Sequence, residues 1–419
     1  LNSWLKALAV YADRRILTVL FLGFSSGLPL ALSGQTMMAW LTEAKVDLTT
    51  IGLFALVGLP YSTKFFWAPL IDRITLPGLG RIGRRKSWGL LVQALLAGLL
   101  LLLGSIDPAH DPMTFALFAL LIAFASASQD IVIDAFRVEI LDENQYGAGA
   151  AAVQFGYRIG MLTSGAGALL LADQLDSWQG VYAAMAGLMA IGAVTLLLNK
   201  EPQVQRSPPA GNWIADTIVA PFADLLQRLG WQVLAVFAFI VLYKLGDALA
   251  GMLSTTFYLK MGFAKTEIAE ISKLFGFFAT ILGTFLGGVG VARLGIGKSL
   301  IVFGVFQMLS NLMYAWMATQ GHDIPALYAT IGIENLTGGL GSAAFVAYLS
   351  RLCNLSFTGT QYALLSSPAA LGRTLFASTS GWLVEQMGWV DYFILTTAAA
   401  LPGLLLLFWM LRKFPATTK

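Results

Sequence analysis

A single cysteine, Cys353, rules out an internal disulfide and any multi-cysteine metal site. The only two histidines, His110 and His322, fall in predicted outer loops, so a histidine proton switch in the middle of the molecule is not expected. Charge is scarce: 12% of residues are charged, against about 25% in soluble domains, too few to coat a water-facing surface. No phosphate loop, ATP-binding motif or zinc-ligand spacing appears. What fills the chain instead is apolar: 57% of its 419 residues are hydrophobic. They recur in runs near the ~20 residues that cross a bilayer. The runs are continuous rather than alternating, which excludes a β-barrel. The fold class expected is an all-α, polytopic membrane protein.

The runs predict twelve spanning helices: 16–42, 50–71, 87–105, 113–136, 147–171, 179–199, 232–258, 267–291, 299–319, 325–350, 358–384 and 389–411. The first is too long for a signal-peptide core and lacks a small-residue cleavage site, so it reads as a membrane helix. Twelve crossings put both termini on one side. Of the 26 lysines and arginines, only Lys45, Lys260 and Lys265 fall on the opposite side, so the positive-inside rule makes both termini cytoplasmic. The widest gap divides the chain into a bundle over 1–199, a linker over 200–231 and a bundle over 232–419. Within the linker, Trp213, Ile214, Ile218, Phe222, Leu225, Leu226 and Leu229 share one face, as in an amphipathic helix on the membrane surface. The halves echo each other. Arg158, Gly165 and Trp178 in the first match Arg373, Gly381 and Trp389 in the second. Two six-helix bundles related by a pseudo-twofold axis, with cargo bound between them, is the transporter plan this suggests.

Nine ionisable residues lie inside predicted spans: Lys64, Asp130, Asp134, Arg158, Lys244, Asp247, Lys273, Glu334 and Arg373. A charge at mid-bilayer costs about 3 kcal/mol on insertion scales, so these must face partners or a water-filled path. Asp130 and Asp134 are four apart and share a helix face, with Arg137 one turn beyond. Asp130 is expected to face the cavity. Asp72, Arg73, Arg84, Arg85, Asp134 and Arg137 are expected to form a cytoplasmic latch, because carboxylates and guanidiniums at helix ends make a two-state contact. Arg158 lies about 16 Å into its helix, and Arg373 is expected at the same depth. Each either binds a cargo carboxylate through its bidentate fork or pairs permanently with an acid, Arg158 with Asp130 and Arg373 with Glu334. Lys244 and Asp247, three apart, can neutralise each other, and Lys273 is expected to snorkel. If protons drive transport, the carrier is a buried carboxylate, with Asp130, Asp247 and Glu334 as candidates in that order. A membrane-embedded enzyme would need a nucleophile with its base, or a metal cluster. A sensor would need a soluble output domain. Neither is visible.

Several stretches carry a narrower resemblance: Gly23-Phe-Ser-Ser-Gly-Leu-Pro-Leu30, Thr50-Ile-Gly-Leu-Phe54, Lys64-Phe-Phe-Trp-Ala-Pro-Leu-Ile-Asp-Arg73, Ala125-Ser-Ala-Ser-Gln-Asp-Ile-Val-Ile-Asp134 and Gly156-Tyr-Arg-Ile-Gly160. Together with Asp72-Arg73 and Gly83-Arg84-Arg85-Lys86, which follow the loop motif of the major facilitator superfamily at a longer spacing, they resemble the AmpG muropeptide permeases. The resemblance implies a proton-driven importer in a bacterial inner membrane, with no cofactor, acting as a monomer. Its implied cargo is an N-acetylglucosaminyl-1,6-anhydromuramyl peptide from cell-wall turnover. Gln35, Tyr61, Lys64, Trp67, Gln129, Gln154, Tyr157, Arg158, Lys244 and Arg373 are the residues that could meet its sugar, amide and carboxylate groups. A siderophore or other organic-anion permease of the same fold is the alternative.

Overall fold

The computed structural model describes residues 9–46, 57–203, 215–264, 267–377 and 379–413, and the side chains of Lys273 and Arg373 lie outside what it describes. Among the described residues every regular element is helical. Eight helical stretches are long and apolar enough to cross a membrane. The other spanning segments are shorter, interrupted or richer in polar residues.

In chain order the first bundle comprises α1 (Arg14–Leu32, continued by Gln35–Glu43), α2 (59–73), α3 (Arg84–Gly104), α4 (Pro112–Ile140), α5 (146–175) and α6 (Trp178–Leu198). The second comprises α7 (Gln232–Lys260), α8 (268–294), α9 (Ile296–Gln320), α10 (Ile324–Leu352), α11 (Thr358–Ala377 and 380–387) and α12 (389–413). A positive φ at Gly388 ends α11 and starts α12, a backbone conformation open to glycine at no steric cost. The expected start of α2, at residues 50–56, lies outside the described residues.

The duplication is visible in the helix starts. α4 and α10 are both 29 residues long, and each begins after an aspartate, Asp111 or Asp323, whose carboxylate caps the first turn. α1 and α5 pack backbone to backbone. A Cβ at Gly27 would stand 2.1 Å from the Tyr157 carbonyl oxygen, and one at Gly156 would stand 2.0 Å from that of Leu20. Small residues allow this approach in apolar surroundings. The glycine-rich stretch of α8 works the same way against α10 at Gly283 and against α5 at Gly288, across the two bundles.

Four of the interruptions in the helices bear on the polar interior. Pro29 lacks the N–H that α1 needs, and the helix stops at Ser33. Beside that break a π-turn at Thr163–Gly167 in α5 carries the Ser164 carbonyl, which accepts a 2.6 Å bond from the Thr36 hydroxyl. α2 breaks at Thr63–Lys64, and α7 breaks at Lys244. Both central lysines therefore sit at helix discontinuities.

The linker forms a helix over 215–229. One face of it packs on the second bundle. Leu225 and Leu229 are buried, and polar ties fasten it to the second bundle: Arg228 donates to Gln361 at 2.8 Å, and Gln361 donates to Asp224 at 2.7 Å. Its predicted contributors Trp213 and Ile214 lie outside the described residues. Ile218 and Leu226 remain exposed.

Candidate functional site

The end where α1 begins and α12 finishes, here the basic end, is where the bundles are fastened together. Asp72, fully buried at the end of α2, takes Arg85 at 2.6 Å and Arg84 at 3.5 Å. It also accepts the N–H and the hydroxyl of Thr360 on α11, each at 3.0 Å. Thr360 is in the first turn of its helix, so the carboxylate meets the positive end of that helix dipole. Arg85 is shared with Glu139 of α4, through a 3.0 Å bond from its Nε. Glu139 is a member of this cluster that the sequence did not mark, because only its acidity was legible and not its direction.

Three more contacts cross at this end. Arg137 donates to Ser350 of α10 at 2.9 Å and lies 5.0 Å over the Tyr362 ring of α11. Arg351 pairs with Glu143 at 2.7 Å. Arg73 lies 5.3 Å over Phe357. Among the described residues, every side-chain hydrogen bond and ion pair that joins the bundles lies toward this end, the deepest being Tyr11 to the Phe285 carbonyl.

Further in, Lys64 stands 3.7 Å from Asp130 and 3.9 Å from Asp134. The Ser26 hydroxyl donates to Asp130, and Arg137 reaches Asp134 at 3.4 Å. A cavity of about 170 Å³ opens here, lined by Ser26, Asp130, Asp134, Gln154 and Tyr157 of the first bundle and Tyr362 of the second. The Gln154 amide nitrogen is buried without a hydrogen-bond partner among the described residues, a donor left for a guest or a water.

In the second bundle Lys244 pairs with Asp247 at 3.5 Å and donates to Ser342 at 3.3 Å. Tyr243 and Phe345 flank its ammonium, each ring centroid 5.8 Å away, and the Gln307 amide donates to Asp247. The halves match by position. Ser26 and Lys244 are each the thirteenth residue of the first helix of their bundle, and Asp130 and Ser342 each the nineteenth of the fourth. The same bridge is built twice, with its charge on opposite partners. Arg158 is exposed and, among the described residues, makes no hydrogen bond or ion pair. It lies within electrostatic range of Glu334 across the interface.

Several expectations change. Arg158 does not pair with Asp130, because Lys64 at the α2 break occupies that carboxylate. Asp134 contributes to the cavity wall as well as to the basic-end cluster. Gln129 is buried inside the first bundle, donating to Ser25 at 3.2 Å beside Gln93. It turns from Asp130 because adjacent helical residues point about 100° apart. Trp67 is docked on α4, donating to Ser128 at 3.0 Å and stacking on Phe124. Tyr61 lies 3.5 Å from Ser33, and Gln35 is exposed at the α1 break. Arg373 is the sixteenth residue of α11 whereas Arg158 is the thirteenth of α5, so the two are offset by about one turn, ~4.5 Å.

The Major Facilitator Superfamily model matches residues 16–334. The chain is 43% identical over 402 residues to the anhydromuropeptide permease of Escherichia coli (strain K12), covering 96% of this chain and 80% of that one. It is 36% identical over 409 residues to a transporter named AmpG 4 from Rickettsia conorii, covering 96% and 98%. Among solved structures it resembles the transporter FucP in its outward conformation, with a TM-score of 0.68 at 14% identity over 95% of this chain and 98% of that one. The proton:xylose symporter XylE matches with a TM-score of 0.67 at 14% identity, over 96% and 95%.

Proposed function

This chain belongs to the AmpG group of the major facilitator superfamily, and we propose that it imports anhydromuropeptides into the cytoplasm of a bacterium, driven by protons. The observation that carries the cargo is the likeness along nearly the whole chain to a protein named for that permease activity. The geometry agrees with it. Arg158 offers a cargo carboxylate a planar, permanently charged fork without first breaking a strong local pair. Lys244, Gln154 and Tyr157 add polar contacts for amides and sugar hydroxyls. The basic end is the cytoplasmic end, and its cross-bundle contacts are a closed gate. Cargo then enters from the opposite side. Asp130, Asp247 and Glu334 are the carboxylates available to carry the proton.

The test is exchange of labelled anhydromuropeptide across proteoliposomes by the wild type and Arg158→Ala. Saturable exchange is expected, with half-saturation raised about tenfold or more in the variant, the scale of one charge-assisted hydrogen bond. Absence of exchange by a folded wild type contradicts the cargo.

A further inference from the structure

One cation, the Lys64 ammonium, lies within 4 Å of two carboxylates, Asp130 and Asp134. Asp134 also touches Arg137, at 3.4 Å. That guanidinium is divided. It spends its other contacts across the interface, on the Ser350 hydroxyl at 2.9 Å and on the Tyr362 ring. It is fully buried, and its Nε has no hydrogen-bond partner among the described residues. The arrangement is a row, Asp130–Lys64–Asp134–Arg137, whose last member helps to hold the basic end shut.

We infer that Asp130 and Asp134 form one shared proton site with Lys64, and that the gate sets its proton affinity through Arg137. While the gate is closed, Arg137 is partly withdrawn toward the second bundle. Two carboxylates then share Lys64, and like charges so close favour one proton between them. When the bundles part at the basic end, Ser350 and Tyr362 leave Arg137. Asp134 is the acid it already touches, so the guanidinium settles there, Lys64 settles on Asp130, and the proton is expelled. It came from water on the far side and leaves to water on the side just opened. This rests on the proton-driven reading above and makes it directional. Other titratable groups facing the row are Tyr61 on α2, Tyr157 on α5, Tyr362 on α11 and Cys353 after α10. The ordinary values of tyrosine and cysteine, about 10 and 8.5, lie well above the carboxylate range, so the two aspartates are the first of these groups to change charge as pH rises.

Coupling is reciprocal. A site that holds its proton better with the gate closed must close the gate when protonated. The test therefore needs no cargo. Spin labels replace Arg81 and Arg293, exposed residues of the two bundles at the basic end, in a Cys353→Ala background in nanodiscs, and their separation is measured against pH. The wild type is expected to move from a short to a long separation as pH rises. Asp130→Asn and Asp134→Asn are each expected to abolish that transition, because each leaves one carboxylate matched to Lys64. Lys64→Gln keeps both acids without their shared cation, so its transition should move at least one pH unit toward alkaline. A pH-independent wild type, or an Asp134→Asn variant with the wild-type profile, overturns the inference. If an aspartate variant does not fold, Lys64→Gln decides, and an unmoved transition overturns it. A clear pH transition without gradient-driven accumulation of cargo would instead contradict the proton-driven reading and leave the shared site standing.

Discussion

At the scale of the residue, placement decides role more than type does. Lys64 and Lys244 are both central cations, and both sit where a helix breaks, so the ammonium reaches polar partners instead of the bundle wall. Gln129 and Asp130 are neighbours, yet one is sealed inside a bundle and the other helps line the cavity. At the start of α1, outside the membrane, Asp13 caps the helix and is bound by the Arg15 side chain, the Arg15 N–H and Gln145. Chiefly through the Arg15 side chain, these hold its carboxyl at about 2. A carboxyl depressed in the folded state stabilises it above the unfolded value, near 3.9, and loses that contribution as pH falls through the folded one. Asp13→Ala should therefore cost about 1 kcal/mol, a typical loss for an N-cap. Thermal unfolding in detergent should show a constant deficit from pH 7 to about 4 that shrinks as pH falls toward 2. A deficit that grows on acidification would show that the cap is not ionised.

At the scale of the element, the crossing of α5 and α8 governs whether the basic end can shut. A Cβ on Gly288 would stand 2.1 Å from the Tyr11 hydroxyl oxygen and 2.8 Å from the Gly147 carbonyl oxygen. Those atoms belong to the other bundle, so a larger residue strains the closed arrangement more than either bundle. Gly288→Val is expected to fold and to favour an open basic end, seen as a longer Arg81–Arg293 label separation at every pH. An unchanged separation would mean that the helices slide to accommodate it. The existence of twelve helices was legible because long apolar runs have no soluble alternative. Their interruptions were less so. Pro29 announces one break, but the break at Lys244 has no proline, and the side chains there, Lys244 and Asp247, answer to partners on α10 and α9.

At the scale of the whole molecule, what could be read beforehand was mostly local, and what could not be was the pairing between distant segments. The face shared by Asp130 and Asp134 follows from their spacing, and the i,i+3 pair Lys244–Asp247 was legible for the same reason. That Asp72 meets Thr360, 288 positions away, depends on how two bundles dock. So does the surrounding of Arg158: a permanent pair with Asp130 was one of its two expected roles, and the acid within its electrostatic range is instead Glu334. The duplicated bridge, Ser26 to Asp130 and Lys244 to Ser342, escaped a search for matching residue types because the charge changes sides. What matters is therefore an interface: a basic end held shut by cross-bundle contacts, with charged rows behind it. Accumulation of labelled N-acetylglucosaminyl-1,6-anhydromuramyl tripeptide in proteoliposomes, with and without an imposed inward proton gradient, tests it most directly. The account predicts uptake above equilibrium only with the gradient, while exchange proceeds without it. Equal uptake in both conditions would contradict proton coupling, and none in either, from folded protein, would contradict the cargo.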